Sequence, residues 1–265
     1  MRRSDETPLQ ECNLNSRFEL PTPAIRLEWP RMDPSPTQNA LGQPVGPALT
    51  HWSAPPFPPH TELRGRYCHL VPLDPEAHAR PLHDAYQGEA NDALWTYLPY
   101  GPFKDFNAYR AWLDSVASVR DPQFYTILRV SDGVPLGTAA YLRIDPPNGS
   151  IEVGHLAYSP ALQRTPVSTE AMYLLMKRAF ALGYRRYEWK CHSMNAPSRM
   201  AALRIGFQYE GTFRQAAVVK GRSRDTAWFS IVDGEWSKLS QRFERWLDPV
   251  NFDASGNQQR RLEQC

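Results

Sequence analysis

Apolar and polar positions along residues 60–246 alternate in two rhythms, one of strands and one of helices. Tyr67 to Leu73 reads as a strand. Asp74-Pro75 then supplies an N-cap and a first-turn proline, predicting a helix to about Tyr86. Phe106, Tyr109, Leu113 and Val116 recur at helical spacing after Asp105. Phe124 to Val130 and Leu136 to Leu142 predict a hairpin around Ser131-Asp132-Gly133. Pro146-Pro147-Asn148-Gly149 turns the chain into a central strand, Ile151 to Tyr158. Ala171, Leu175, Ala179 and Leu182 lie on one face of the next helix, which stops at Gly183. The strand Tyr187 to Cys191 follows, then a helix from Asn195 to Ile205. Phe207 to Gln215 and Thr226 to Val232 read as strands around the turn Lys220-Gly221-Arg222, and Glu235 to Trp246 as a terminal helix. Strands outnumber helices in a mixed α/β order.

Composition changes the picture mainly at the ends. Eleven of the 25 prolines fall between Pro21 and Pro59. That density removes backbone donors and disfavours regular structure, so residues 1–60 are expected to form an extended, poorly ordered arm. Trp29, Trp52 and Phe57 are its candidates for lying along the domain, and Met32 within it is an alternative start to Met1. Residues 61–247 are the expected domain, and 248–265 a loose polar tail. The net charge of +2 gives no field favouring nucleic acid or an anionic membrane. No apolar run nears the roughly 20 residues of a bilayer span. The N-terminus lacks the apolar core of a secretory signal, and Asp5, Glu6 and Glu11 do not suit a mitochondrial presequence. Cys12, Cys68, Cys191 and Cys265 are far apart, with no CxxC and no histidine at ligand spacing. They read as free thiols with no metal site, and the expected compartment is the cytoplasm.

The candidate chemistry begins where the central strand breaks into Ser159-Pro-Ala-Leu-Gln-Arg-Thr-Pro-Val-Ser-Thr-Glu-Ala171 and then a helix. A helix start reached this way gathers free N–H groups and the positive end of the macrodipole, a site for a pyrophosphate or similar anion. Asn195-Ala-Pro-Ser198 opens a second helix that ends at Ile205-Gly206-Phe207. Both openings also suit ordinary capped helices.

The ordered set of strand, phosphate loop, helix, strand, Asn-x-x-Ser helix and Gly-Phe resembles the GCN5-related N-acetyltransferases (GNAT), and within them the RimJ/RimL-type branch. The likeness spans roughly Leu63 to Trp236. It implies an acyl-CoA N-acyltransferase fold, with a splayed central sheet flanked by helices. It implies acetyl-CoA as co-substrate, bound by Gln163, Arg164, Thr165, Val167, Ser168 and Thr169 of the loop, by the strand amides of Leu156 and Tyr158, and by Asn195. Backbone N–H groups near Leu156 and Ala157 would form an oxyanion hole. Ser198 would serve the leaving thiolate, which needs only modest help because a thiol pKa is ~8.5. The main departure is Pro166, where the family loop has glycine; Ser168 also replaces the usual Gly or Ala.

Glu152 on the central strand is the candidate base for the incoming amine, sharing a face with Gly154, Leu156 and Tyr158 by alternation. His155, on the opposite face, reads as a packed or surface histidine. Trp95, Tyr97 and Tyr100 are candidate walls of the acceptor pocket, and Tyr109, Phe213 and Trp228 read as core. The expected activity is direct acetyl transfer to a primary amine, on a small molecule or a protein N-terminus, by a monomer or homodimer. A degenerate, non-catalytic GNAT domain that binds acyl-CoA or another protein is the alternative that Pro166 keeps open.

Overall fold

The computed structural model describes residues 37–87 and 91–265. Cys12, Trp29 and Met32 lie outside the described residues. The chain divides into two compact units, with the division in sequence between Trp52 and Ser53. Within the described part of the first, β1 (Thr37–Gln38) pairs antiparallel with β2 (Pro44–Val45). The Asn39 side chain holds the turn by accepting from the amides of Leu41 and Gln43, both at 3.0 Å. This stretch of the expected irregular arm therefore contains a small hairpin.

The second unit holds an eight-stranded sheet in the order β3-β4-β5-β6-β7-β8-β10-β9. Its strands are β3 (Leu63–Arg64), β4 (Cys68–Pro72), β5 (Gln123–Arg129), β6 (Pro135–Asp145), β7 (Ser150–Tyr158), β8 (Arg186–His192), β9 (Gln208–Val219) and β10 (Arg222–Val232). The helices are α1 (Pro75–Ala85), α2 (Asn91–Leu94), α3 (Phe106–Ala117), α4 (Pro166–Ala181), α5 (Ala196–Ile205) and α6 (Asp233–Trp246). The expected cap Asp74 accepts from the Glu76 amide at 2.9 Å, and Asp105 caps α3 by accepting from the Ala108 amide at 2.8 Å. Every neighbouring pair of strands is antiparallel except β7 and β8, which run parallel.

The two faces of the sheet carry separate cores. One face packs Ile151 and Val153 of β7, Tyr187 and Trp189 of β8, and Ala227 and Phe229 of β10 against α4, α5 and α6. The other packs Phe124, Ala140 and Ala157 against α1 and α3, with Tyr86, Trp95 and Tyr109 filling the layer. Glu170 ties α4 to the sheet edge. Its buried carboxylate accepts from the backbone amides of Arg66, Tyr67 and Cys68, at 2.8, 2.6 and 2.8 Å. Gly65 is required there, because a Cβ would meet the Glu170 carboxyl carbon at 2.4 Å.

Both ends of the domain reach further than the sequence suggests. Residues 53–60 run along the sheet and the loops beside it. Pro58 O accepts from Gln123 Nε2 at 2.8 Å, Pro56 O from the Tyr184 hydroxyl at 3.2 Å, and His60 Nε2 bonds Phe124 O at 2.8 Å. Phe57 lies under the Arg120 guanidinium at 4.1 Å. The boundary expected at residue 60 thus falls earlier: prolines cannot donate, but their carbonyls accept. The tail also folds back. Leu262 is fully buried, Trp246 Nε1 donates to Gln258 Oε1 at 2.8 Å, and Asn251 is buried while accepting from the Arg260 amide at 2.9 Å.

A chain beginning at Thr61 loses those three hydrogen bonds and the burial of Pro55 and Pro58. At about 1 kcal/mol per bond, it should melt roughly 5–10 °C below a chain beginning at Ser53. Calorimetry on the two chains checks this; equal melting temperatures would show that 53–60 adds nothing.

Candidate active site

The site is built on a strand that changes phase. Pairing between β7 and β8 covers Ser150↔Arg186 to Val153↔Trp189 and then stops, although β8 continues to His192 along β10. On the other side β7 shifts register against β6 between Thr138 and Ala140. His155 sits in this bulge with φ 53°, the left-handed region that a non-glycine residue enters only at a cost. The bulge resets alternation. Ile151 and Val153 before it, and Leu156 and Tyr158 after it, all join the core under α4. Glu152 therefore lies on the opposite face from Leu156 and Tyr158, and His155 on the same side as Glu152, both reversing what simple alternation gives. Beyond Val153 the edge of β7 facing β8 has no ladder partner among the described residues. The strand is held from below, where Tyr86 donates to Ala157 O at 3.0 Å. Gly137 allows that approach, since a Cβ would come within 2.6 Å of the same oxygen.

On the α4 side, the expected anion-binding residues gather at one helix start. Arg164 takes φ 60° and Thr165 is the N-cap, its hydroxyl accepting from the Ser168 amide at 3.3 Å. Pro166 occupies the first helical position, where its missing N–H breaks no intrahelical bond. Gln163 donates its side-chain amide to Tyr158 O at 2.9 Å, so the loop is anchored to the strand end. Glu170 is turned away into its nest of amides, and no acidic residue stands in the first turn of α4. Arg204, from α5, instead donates to Thr169 Oγ1 at 3.2 Å and brings a guanidinium to the same turn. Tyr158 OH and Ser159 Oγ are buried nearby without hydrogen-bond partners. A free strand edge, a positive helix end and an added arginine fit the thioester arm and phosphates of an acyl-CoA.

Asn195 caps α5, its Oδ1 accepting from the Ser198 amide at 3.2 Å. Ser198 Oγ accepts from Trp189 Nε1 at 3.0 Å and lies beside the buried Cys191 thiol, whose pKa burial raises. Trp189 and Cys191 belong to the α4-side core, so Ser198 and Glu152 stand on opposite faces of the sheet.

The Glu152 side is an ion-pair network. Glu152 and Glu188 are Cα neighbours across the parallel strands. Lys190 Nζ lies between them, 3.0 Å from Glu152 and 2.7 Å from Glu188, and 3.6 Å from the centre of the Trp228 ring. Arg143 pairs with Glu152 at 2.7 Å, and Arg186 with Glu188 at 2.6 Å. Burial outweighs both cations and holds the Glu152 carboxyl above the usual carboxylate range. His155 stacks on Tyr100 at 5.6 Å and meets Phe124 at 4.9 Å; burial pushes it down to about 4, so it is neutral near pH 7. His155 Nδ1 and Tyr100 OH are buried without partners.

The aromatic segment after α2 splits in role. Trp95 is buried in the α1/α3 core, and its carbonyl accepts from Lys220 Nζ of the β9–β10 turn at 2.6 Å. Tyr97 donates to Met194 O at 3.3 Å and meets His192 edge-on at 5.2 Å. Tyr109 is core as expected, but Phe213 and Trp228 are not. Phe213 is 56% exposed, stacks on Trp228 at 4.7 Å, and lines an open cleft of about 720 Å³ with Arg214, Gln215 and Ala216. Arg143, Lys190, Arg204 and Arg224 escaped notice in the sequence; only the alternation of Glu188 and Lys190 with core aromatics on β8 hinted at a charged face.

Residues 68–208 match the acetyltransferase (GNAT) domain family, more than half of the chain. The chain belongs to this family of acetyltransferases. A solved GCN5-related N-acetyltransferase from Brucella melitensis is 44% identical, covering 81% of this chain and 98% of its own, with a TM-score of 0.80. An uncharacterized N-acetyltransferase p20 from Bacillus licheniformis is 28% identical over 150 residues, 53% of this chain and 81% of its own length. The fold also matches, at 20% identity and TM-score 0.55, an acetyltransferase from Salmonella typhimurium that modifies the N-terminal serine of ribosomal protein L7/L12, over 63% of this chain and 96% of that one. Among the described residues no helix is long and apolar enough to cross a membrane.

Replacing Lys190 by Met leaves Glu152 and Glu188 side by side without their shared cation. A carboxyl whose folded pKa lies above its unfolded value contributes its stability at low pH and loses it as pH rises through the folded pKa. Lys190→Met should therefore cost about 3–5 kcal/mol at pH 8 and clearly less near pH 5. Urea unfolding at the two pH values measures the difference, and a pH-independent cost would mean the lysine acts through packing on Trp228.

Proposed function

We propose that the protein transfers the acetyl group of acetyl-CoA to a primary amine by direct attack in a ternary complex. The observation that carries this is the gap between β7 and β8, with Ser198 on one face and Glu152 on the other. Acetyl-CoA supplies the activated acyl group. Its phosphates suit the first turn of α4, where Arg164, the Val167 amide and Arg204 converge, while the Ser168 and Thr169 amides are held by Thr165. Its arm suits the free edge at Leu156 and Tyr158, with Asn195 Nδ2 left to donate because only Oδ1 is used in the cap. Ser198 Oγ then stands ready to donate to the departing thiolate, and the amides near Leu156 and Ala157 to the acyl oxygen.

The amine enters on the face of Glu152, between Tyr97, Tyr100 and the Phe213–Trp228 pair. Glu152 Oε2 is engaged by Arg143 and Lys190, while Oε1 points along β7 towards Gly154. Its raised pKa suits a group that takes a proton from an ammonium, directly or through water. The acceptor is a small amine or a protein N-terminus, as in the RimJ/RimL branch. The non-catalytic alternative leaned on Pro166, and a proline at the first helical position is compatible with an intact anion site.

Two measurements test this. Acetyl-CoA at about 100 times its Kd should stabilise the protein by about 2.7 kcal/mol, roughly 5–10 °C in Tm. No shift at millimolar concentration would defeat the reading. Ser198→Ala should lower kcat about 10-fold with acetyl-CoA affinity nearly kept. Glu152→Gln should also cut turnover, with the defect shrinking as pH rises and more amine is free without help. CoA release across a panel of amines reads both, and a pH-independent loss in Glu152→Gln would assign Glu152 to holding the acceptor in place.

A further inference from the structure

We propose that Arg224 receives an anionic group on the acceptor, so that the preferred amine carries a carboxylate. This rests on the acetyl-transfer reading and names the substrate class of the same site. Arg224 lies on β10 where the pairing with β9 shifts: Arg224 meets Ala217 and Thr226 meets Phe213. The extra residues thus fall on β9, and β10 keeps its alternation towards Trp228 and Lys190, with Glu152 and Arg143 among the charges beside Arg224. It is half-buried, makes no ion pair or hydrogen bond among the described residues, and its Nε is buried without a partner.

The carboxylates within reach are already engaged. Glu152 accepts from Arg143 and pairs with Lys190; Glu188 pairs with Lys190 and Arg186; Glu210 pairs with Arg186. Asp225, of opposite alternation on β10, accepts from the Gln215 amide at 2.7 Å. Four cations (Arg143, Lys190, Arg186, Arg224) stand around three carboxylates (Glu152, Glu188, Glu210), and among the described residues Arg224 is the one of these four without an ion pair; Arg222, two residues earlier on the strand, is exposed to solvent. Burial lowers its pKa below the ordinary arginine range, with Arg143 adding to that and Cys191 and Glu152 working against it. His192, the other titratable group beside it, is held below the ordinary histidine range and adds no negative charge.

A partly buried guanidinium without an anion is costly, and its planar fork matches a carboxylate in two parallel hydrogen bonds. Glu152 and Arg224 would thus bracket the acceptor, the first at its ammonium and the second at its anion. The α4 helix start serves the acyl-CoA phosphates on the opposite face, so Arg224 is free of that role. An acceptor lacking the anion leaves the guanidinium unpaired, which makes the arrangement selective as well as attractive.

The test measures CoA release by the full chain with matched sets: an amino acid, its amide and its decarboxylated amine, together with β-alanine against phosphoethanolamine. The carboxylate-bearing member of each set should be used at least about 10-fold better in kcat/KM. Arg224→Met should erase that preference by raising KM for the amino acid about 10- to 100-fold, with kcat little changed. Arg224→Lys should restore part of it, and the Tm shift given by acetyl-CoA should be the same in all three proteins. Equal use of acid and amide by the unmodified protein, a preference that survives Arg224→Met, or a lost acetyl-CoA shift would each overturn the proposal while acetyl transfer stands. Preference for phosphoethanolamine would reassign the anion as a phosphate and overturn the carboxylate. CoA release with no amine at all would overturn both the transfer reading and this one.

Discussion

The parting of β7 from β8 is the constraint on which the rest of the site depends. A parallel pair that stayed joined to Tyr158 would close the sheet and bury every amide in ladder bonds. Instead the bulge at His155 turns β7 aside after Val153, and β8 keeps its partner β10. The cost of a left-handed histidine is offset by fixing the strand on both sides: Tyr86 holds Ala157 O, and His155 itself packs between Tyr100 and Phe124. Strain of this kind persists only where the surroundings over-determine it. One bulge thereby frees the strand edge, reverses the faces of the residues after it, and opens a way through the sheet.

The same parallel register forces Glu152 and Glu188 together, which by itself would be repulsive. Lys190 resolves the conflict by reaching both carboxylates from the same strand as Glu188, two residues on, while Trp228 covers its other side. Arg143 and Arg186 close the two ends. Such a buried network is weak as a source of net stability but strict in geometry, because removing one member strands the others. It fixes where a carboxylate of raised pKa stands relative to the gap.

Much of the fold was legible from local pattern. The cap Asp74, the start of α3 after Asp105, the hairpin of β5 and β6, and the helices α4 and α5 follow from spacing and capping chemistry alone. The GNAT family was legible too, because the order of its motifs survives through Asn195–Ser198 and Gly206-Phe207 despite the departures at Pro166 and Ser168. Two things were not. Alternation cannot foresee a bulge, so Glu152 was grouped with Leu156 and His155 was set on the wrong face. Partners brought from other strands leave no spacing signal, which is why Arg143 and Lys190 around Glu152, or Arg204 beside Thr169, were invisible. The packing of residues 53–60 was missed for a related reason: proline density reports lost donors and says nothing of carbonyls that accept.

The two faces also differ in charge in a way that suits two different ligands. At the start of α4 Glu170 is withdrawn and spent on three backbone amides, while Arg164 and Arg204 remain, the latter also feeling Glu263. That helix end is positive, the condition a polyphosphate needs. Across the sheet, cations and carboxylates are interleaved and nearly balanced, so a strongly charged ligand of either sign gains little there. An amine that also carries an anion gains most, because each of its charges meets an opposite one without disturbing the pairs already made. On the proposed reading the gap joins a face that suits a polyphosphate to one that suits a zwitterion, and acetyl transfer would take place where the two meet.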